Sequence, residues 1–369
     1  MKNIVGLITG GRWHKEAYHF LKNLKKKIIV FDDNPKCFLK KNIRTIDLKK
    51  ISEVKSYKNN IFLWSPCNDL GASLADELNN KKYLKRVTNF EIINNKKKLY
   101  SLLNFKKLYV TKIKKNTKYI KKKINGSGSR DINFFYWKKN YKLSKFYFLQ
   151  EYIKGFEFSV EVYSYNKNHK VLSISYRILK NYKSAIVIFS MGYDKKIFKY
   201  FDDKIAKILS KIKAKNGISH IEIIIDNLGN IYPIDINIRM GGAAIAAIFL
   251  PNILNLKTFK CDFETLESKK KVSKFTKPKQ GIIIYENVKN DHIKKPLISF
   301  SKYGIYEKLN SPSNTTKYEL DKNRTSYLFF SSSDSRLFFK KLEKIVSQNI
   351  YKDVLSIKYK LKKILDNAA

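Results

Sequence analysis

Polar residues recur at every second position near the end of the stretch 217–242. Asp235, Asn237 and Arg239 alternate with isoleucines and therefore project from one face of a predicted strand, and Glu222, in a preceding apolar run, can share that face. Two carboxylates, an amide oxygen and a guanidinium suit a hard divalent cation that bridges phosphate oxygens. A strand with a solvated polar face would alternate in the same way. Arginine is scarce, with eight residues among 76 Lys+Arg, which favours a functional Arg239.

The element that must position these side chains is a predicted β-hairpin. Two apolar runs, Ile221–Ile225 and Ile231–Ile238, flank the turn signal Asp226-Asn-Leu-Gly-Asn230. After the second run come Gly241-Gly242 and an apolar segment that predicts a buried helix ending at Pro251.

The composition indicates a globular protein of two or three domains or lobes. The 369 residues carry a formal charge of +45, and the excess is almost entirely lysine. Lys, Asn, Ile, Tyr and Phe are all abundant and all have A/T-rich codons, so a genomic base bias explains the charge without a nucleic-acid partner. Three scattered cysteines imply neither a disulfide framework nor a zinc site. No run approaches the 18 apolar residues of a membrane span, so we expect a cytoplasmic protein without membrane contact.

The first 85 residues open with a βαβ pattern. A short apolar strand, Ile4–Thr9, ends in Gly10-Gly11, a helical pattern follows, and a second strand covers Ile28–Phe31. This order predicts a parallel sheet with Rossmann-like winding. Because Gly10-Gly11 is not GxGxxG, a substrate anion near the helix start or a plain tight turn is favoured there over a nucleotide.

A third strand of this region, Ile61–Trp64, leads into Ser65-Pro-Cys-Asn-Asp69. In an open α/β sheet the carboxyl ends of the strands are where ligands bind, which makes Asn68 and Asp69 candidate substrate residues. The alternative is that they cap a helix over Leu70–Leu78.

The middle of the chain contains a glycine-serine loop between two predicted strands. A helix is predicted over Asn89–Leu103, and a lysine-rich strand then reaches Asn125-Gly-Ser-Gly-Ser-Arg130. Glycines allow successive backbone N–H groups to approach phosphate oxygens, and Lys121, Lys122 or Lys123 could add charge. A flexible hairpin tip is the alternative. Strands follow at Phe146–Ile153 and beyond, then an amphipathic helix over Tyr200–Ala214 and, near the end, a helix over Asp334–Val346.

Taken in order, these segments resemble an ATP-grasp enzyme of the carboxylate-amine ligase type, in the branch related to carbamoyl-phosphate synthetase and biotin carboxylase. The resemblance rests on the Asn95-Lys96 helix, the glycine loop, Gln150-Glu-Tyr-Ile-Lys-Gly-Phe-Glu157, and the pair His220-Ile-Glu222 and Asp235-Ile-Asn-Ile-Arg239. It implies an α/β and α+β fold. A Rossmann-like pre-ATP-grasp domain (1–88) is followed by a two-lobed ATP-grasp domain (89–275, lid lobe about 106–153) and a short C-terminal α/β segment (276–369).

The resemblance also implies residue roles. ATP phosphates would be bound by Lys122 or a neighbour, the adenine by the strand after the loop, the ribose by Glu157, and one or two Mg²⁺ ions, or Mn²⁺ in their place, by the hairpin. Arg239 would stabilise the transferred phosphoryl group. The implied ATP-binding residues are Lys122, Gly126, Ser127, Gly128, Ser129, Gln150, Glu151, Ile153 and Glu157; the metal ligands are Glu222, Asp235 and Asn237; the substrate candidates are Gly10, Gly11, Asn68, Asp69, Gly241 and Gly242.

The sequence departs from the family pattern at Asp235, where glutamate is commoner, and at Lys123, which replaces an expected proline. The predicted activity is activation of a carboxylate as an acyl phosphate, followed by attack of an amine, with small-molecule partners and a homodimer expected by analogy. The alternatives are a bicarbonate-dependent carboxylase, a nucleotide-binding domain without turnover, and a basic nucleic-acid-binding protein.

Overall fold

The computed structural model describes residues 4–34, 37–39, 43–45, 61–125, 133–136, 143–180, 184–242, 244–287, 291–309 and 324–367. The predicted phosphate loop, Gly126 to Ser129, lies outside these residues. Among the helices so described, none has the length and apolar content needed to cross a bilayer.

The N-terminal region is a four-stranded parallel sheet, which confirms the predicted Rossmann-like winding. Its strand order is β3-β2-β1-β4, and helices follow β1 and β4. Because the winding proceeds from β1 to β3 on one side and then continues with β4 on the other, the topological switch point lies between β1 and β4. The elements are β1 (Ile4–Ile8), α1 (Lys15–Asn23), β2 (Lys27–Asp32), β3 (Ile43–Thr45), β4 (Phe62–Trp64) and α2 (Asp69–Leu78).

Two helices, not one, connect this region to the rest of the chain. The single helix predicted over Asn89–Leu103 is wrong because Asn95 interrupts it with φ −105° and ψ 95°. The Asn95 side chain accepts a hydrogen bond from the backbone N–H of Lys98, so it caps the second helix. The helices are α3 (Phe90–Asn94) and α4 (Lys96–Leu103).

A small antiparallel sheet, the lid sheet, follows, with strand order β6-β5-β7. β5 is paired on both sides, with β6 and with β7. Its strands are β5 (Lys118–Lys123), β6 (Asn133–Tyr136) and β7 (Tyr147–Glu151).

The largest element is an eight-stranded sheet, here the central sheet, with strand order β12-β11-β8-β9-β10-β13-β15-β14. The C-terminal strands extend this same sheet, since β13 pairs with β10. The strands are β8 (Gly155–Tyr165), β9 (Asn168–Lys180), β10 (Ser184–Met191), β11 (Gly217–Asp226), β12 (Ile231–Asn237), β13 (Gln280–Asn287), β14 (Ile305–Lys308) and β15 (Arg324–Ser332).

Helices cover the central sheet, and three of them differ from the sequence expectation. α5 (Lys195–Lys211) begins before Tyr200 because Asp194 caps it. The helix predicted to end at Pro251 continues: a π-helical turn, Ile245–Phe249, leads into α6 (Leu250–Leu254), where proline occupies the first turn and needs no intrahelical N–H partner. The predicted C-terminal helix is α8 (Ser335–Ile345), but α9 (Gln348–Asn367) was not anticipated; α7 is Thr258–Ser268.

Candidate functional site

The predicted hairpin forms, and its register brings the polar residues together. β11 and β12 are antiparallel, with Glu222 directly opposite Asp235 and His220 opposite Asn237. Along β12 the Asn237 Nδ2 donates to Asp235 Oδ2 at 3.2 Å, and Arg239 Nη2 donates to Asn237 Oδ1 at 3.3 Å. The alternation expected from the sequence therefore places Asp235, Asn237 and Arg239 on one connected polar face.

That face borders a cavity of about 260 Å³ between the lid sheet and the central sheet, here the cleft. Of the residues assigned to nucleotide or metal from the sequence, six line it: Lys122, Gln150, Ile153, Glu157, Glu222 and Asp235. Glu151, Asn237 and Arg239 do not line it. The cleft has an apolar and aromatic portion, including Ile120, Phe134, Tyr152 and Phe156, and a charged portion, including Lys96 and Arg177.

Gln150 presents a buried side-chain amide to the cleft, and Arg177 presents a buried Nε; neither group has a hydrogen-bond partner among the described residues. The Gln150 side chain is fully buried, and neither its Oε1 nor its Nε2 has a hydrogen bond within the described residues. An unpaired buried amide costs roughly 1–3 kcal/mol per lost bond, so native proteins rarely retain one without a reason. An amide that presents one donor and one acceptor next to apolar side chains matches the edge of a purine base.

Of the three lysines proposed for phosphate contact, Lys122 and Lys123 line the cleft, and Lys122 lies close to its carboxylates. Burial, with a smaller contribution from Lys96, lowers the pKa of Lys122 to about 8, while the carboxylates of Asp235, Glu157 and Glu222 act in the opposite direction. Lys121 instead lies over the ring of Tyr147.

Arg177, on β9, holds the two glutamates of the cleft and was not anticipated from the sequence. Its Nη1 lies 2.6 Å from Glu222 Oε2 and 3.0 Å from Glu157 Oε1. Burial raises the pKa of Glu157 to about 7 against the opposing charge of Arg177. The pKa of Glu222 is lowered, because Arg177 and His220 together outweigh its burial. The scarcity of arginine, which singled out Arg239, was the available signal for Arg177 as well.

Lys96 is the second residue without a predicted role. It opens α4 and forms an ion pair with Asp235. Both side chains are mostly buried, with 14% and 19% of their surface exposed. The two hairpin carboxylates, Glu222 and Asp235, are therefore each neutralised by a cation from another element.

A buried pair, Glu161 and His220, lies behind Glu222. His220 Nδ1 is 2.5 Å from Glu161 Oε1, and its Nε2 is 3.3 Å from Glu222 Oε1. The negative charge of Glu161 raises the pKa of His220 to about 9 despite its burial. A Cβ at Gly241 would approach His220 Nδ1 to 2.9 Å, whereas one at Gly242 would meet nothing within 4 Å. Gly241 thus has a packing role, and Gly242 borders open space.

Arg239 connects this face to the carboxyl edge of the N-terminal sheet. Its Nη2 lies 2.9 Å from Asp69 Oδ2, and the backbone N–H of Met240 donates to Pro66 O. Asn68 caps α2 by accepting from Gly71 N, as the alternative interpretation predicted. Gly10 N already donates to Asp32 Oδ2 at 2.6 Å, while Gly11 precedes the short 3-10 turn Arg12–His14.

The donor set of the hairpin fits a hard divalent cation. Glu222 and Asp235 face each other across two strands and Asn237 adds an amide oxygen, and such oxygens are the ligands that Mg²⁺ accepts. Within the described ranges there is no group of three or more His, Cys, Asp or Glu side chains placed to hold a metal. A cation would therefore rely on the two carboxylates together with oxygens of a bound phosphate.

Comparison with known proteins gives a consistent picture. Residues 104–247 match the sequence profile of the ATP-grasp domain, and residues 3–70 match that of an N-terminal domain of an uncharacterised protein. No curated protein sequence matches the chain.

Solved structures similar to this one cover nearly the whole chain. An L-amino acid ligase from Bacillus licheniformis has a TM-score of 0.70 at 14% identity, covering 93% of this chain and 98% of its own. An N5-carboxyaminoimidazole synthetase from Staphylococcus aureus complexed with ADP has a TM-score of 0.68 at 12% identity, covering 92% of this chain and 95% of its own. A biotin carboxylase–β,γ-ATP complex from Campylobacter jejuni has a TM-score of 0.64 at 13% identity, covering 95% of this chain and 96% of its own. At such identities the likeness shows the fold alone.

Proposed function

Because the chain carries an ATP-grasp domain, we propose that it is an ATP-dependent ligase that activates a carboxylate as an acyl phosphate and joins it to an amine, with ADP and phosphate released. The observation that carries the proposal is the polarity of the cleft. An amide that is buried without a partner among the described residues lies with apolar side chains, and three lysines and an arginine line the same cavity as the hairpin carboxylates. That combination suits a purine base and a polyphosphate in one cavity.

In this proposal Gln150 and Ile153 contact the base, and Glu157 accepts the ribose hydroxyls. Glu157 pairs with Arg177, is 15% exposed and lines the cleft. Its carboxylate can therefore also accept a hydrogen bond from a ligand. Lys96, Lys122 and Arg177 contact the phosphates. The present ion-pair partners of Lys96 and Arg177, which are Asp235, Glu157 and Glu222, keep these two cations in place until phosphate replaces or joins them.

Glu222, Asp235 and Asn237 would hold Mg²⁺, with Mn²⁺ as a substitute. A bound divalent ion would supply neutralisation of the negative charge of the nucleotide phosphates. His220, held by Glu161, keeps the Glu222 carboxylate oriented toward the cleft.

The chemistry needs positioning more than covalent catalysis. A carboxylate is a poor electrophile at neutral pH, and transfer of the γ-phosphoryl group creates an acyl phosphate with a good leaving group. Arg239, whose guanidinium is mostly buried, would stabilise the anionic charge on the phosphoryl oxygens as the amine attacks. Water must be excluded meanwhile, and the lid sheet covers the cleft.

The test is ADP release from Mg-ATP across a panel of carboxylates paired with amines, with bicarbonate included and products identified by mass. We expect release that requires one carboxylate and one amine and yields their condensed product. Release with bicarbonate alone would replace the ligase by a carboxylase, and nucleotide binding without release under any pairing would leave a non-catalytic domain.

A further inference from the structure

We propose that Asp69 binds the ammonium group of the incoming amine, after the phosphorylated first substrate has displaced it from Arg239. This inference rests on the proposed function and names the class of the second substrate, a primary amine that is cationic at neutral pH.

Asp69 lies where the fold favours a ligand. It is the first residue of α2 and follows β4, so it lies at the carboxyl edge of the N-terminal sheet, at the switch point between β1 and β4. Its side chain is 30% exposed, against 11% for Arg239. Apart from Arg239, no described residue offers the Asp69 carboxylate a polar partner. Asp69 Oδ1 therefore has no partner among the described residues.

The guanidinium of Arg239 is incompletely bonded, which makes the ion pair exchangeable. Nη1 donates to Met240 O at 2.9 Å, and Nη2 is shared between Asp69 and Asn237, but Nε is buried and has no partner among the described residues. Nε and Nη2 lie on the same edge of the guanidinium and form a two-donor fork. A phosphoryl group that binds this fork satisfies Nε and takes Nη2 from Asp69.

Displacement of Asp69 from Arg239 changes the charge balance around these two residues. While Asp69 is paired with Arg239 their charges cancel, but once a phosphoryl group neutralises Arg239 the Asp69 carboxylate has no counter-ion among the residues that the structure describes. His14, which is buried nearby, does not supply one, because burial and the charge of Arg239 lower its pKa to about 3. An ammonium group is the ligand that completes this arrangement.

The ammonium loses one proton through the partly exposed Asp69 to solvent, and the free amine attacks the acyl carbon. The C–N bond forms while the bond between that carbon and the phosphate oxygen breaks. Phosphate leaves with the electron pair and accepts the second proton, which gives an amide, phosphate and one released proton.

Hydroxylamine, which is uncharged at neutral pH, separates the two roles that Asp69 could have. With Mg-ATP and a carboxylate from the panel it traps the acyl phosphate as a hydroxamate without needing an ammonium site. For Asp69→Asn we expect the KM of the cationic amine to rise about tenfold or more, the scale of a lost hydrogen bond to a charged group. Hydroxamate formation should stay equal or increase, because Arg239 no longer has a competing anion.

Two further variants complete the experiment. Asp69→Glu keeps the charge and should recover part of the amine affinity, while Glu77→Gln, an exposed change on the same helix, should leave both reactions unaltered. If Asp69→Asn reduces hydroxamate and amide formation in parallel, Asp69 only orients Arg239 and the inference is wrong. An unchanged amine KM would also overturn it. Absence of hydroxamate with wild-type protein and every carboxylate would instead reject the ligase itself.

Discussion

Two buried ionic clusters of this protein differ in how completely their polar atoms are bonded. In the junction, formed by Trp64, Arg86 and Asp262, the Asp262 carboxylate accepts from both Arg86 nitrogens, from Trp64 Nε1 at 2.9 Å and from Ile218 N at 2.8 Å. In the cleft, ion pairs hold the charged residues, but the Gln150 amide is buried and has no partner in the described part of the chain.

The difference separates a cluster that stabilises the fold from one that is suited to bind a ligand. Four donors saturate the Asp262 carboxylate, so the junction joins the N-terminal sheet, the central sheet and α7 and leaves this carboxylate no capacity to bind a ligand. Gly217, with φ +88°, is required there because a Cβ would meet Arg86 Nη1 at 2.7 Å. Since an unsatisfied buried group is costly, the incomplete bonding of the cleft indicates that a ligand completes it.

The largest expected effect is on turnover. Asp235→Ala and Asn237→Ala should each abolish Mg²⁺-dependent ADP release while leaving the fold intact, because each removes a proposed metal ligand. ADP release and circular dichroism check this, with Asp203→Ala on the exposed face of α5 as the control. Full activity in both cleft variants would remove the proposed metal site.

At the junction we expect the opposite result, which is a loss of stability without a loss of ATP affinity. Asp262→Ala leaves Arg86, which is only 2% exposed, buried without its counter-ion. We expect a loss of about 3–5 kcal/mol in the free energy of unfolding, measured by urea denaturation, with the ATP affinity of the folded fraction unchanged. A large loss of ATP affinity without a loss of stability would contradict the division between the two clusters.

Gln150→Leu should raise the stability of the free protein and weaken its binding of ATP. Removing an unpaired buried amide should raise the free energy of unfolding by about 1–3 kcal/mol, and loss of its hydrogen bonds to the base should weaken ATP binding by a similar amount. Thermal unfolding with and without Mg-ATP measures both. Lower stability in the absence of nucleotide would mean that the amide has an internal partner.

The smallest effect is the pH dependence that Lys122 confers. Its pKa is lowered to about 8, so phosphate loses a cationic contact as pH rises through that value, and ATP affinity should fall several-fold. Between pH 8 and the ordinary lysine pKa of 10.5, the unfolded chain binds more protons at this residue than the native chain, so the Lys122 contribution to stability rises with pH. Calorimetry across this pH range measures the ATP affinity and the stability separately. Both should depend less on pH in Lys122→Met than in wild type.

Local patterns in the sequence predicted the hairpin, its polar face and the N-terminal winding, because alternation and glycine turns determine these features within a few residues. The break at Asn95 was missed because an asparagine side chain that caps a helix competes with helical continuation. Arg177 and Lys96 were missed for a different reason. Their roles depend on which distant strand or helix meets the hairpin, and a single sequence carries no direct record of that contact.

The most direct test of the central claim, that the cleft is a nucleotide site, is a calorimetric titration of the wild-type protein with Mg-ATP. We expect saturable binding of one nucleotide per chain, with a higher unfolding temperature in the presence of Mg-ATP. Absence of binding at millimolar Mg-ATP, with the protein folded, would contradict it.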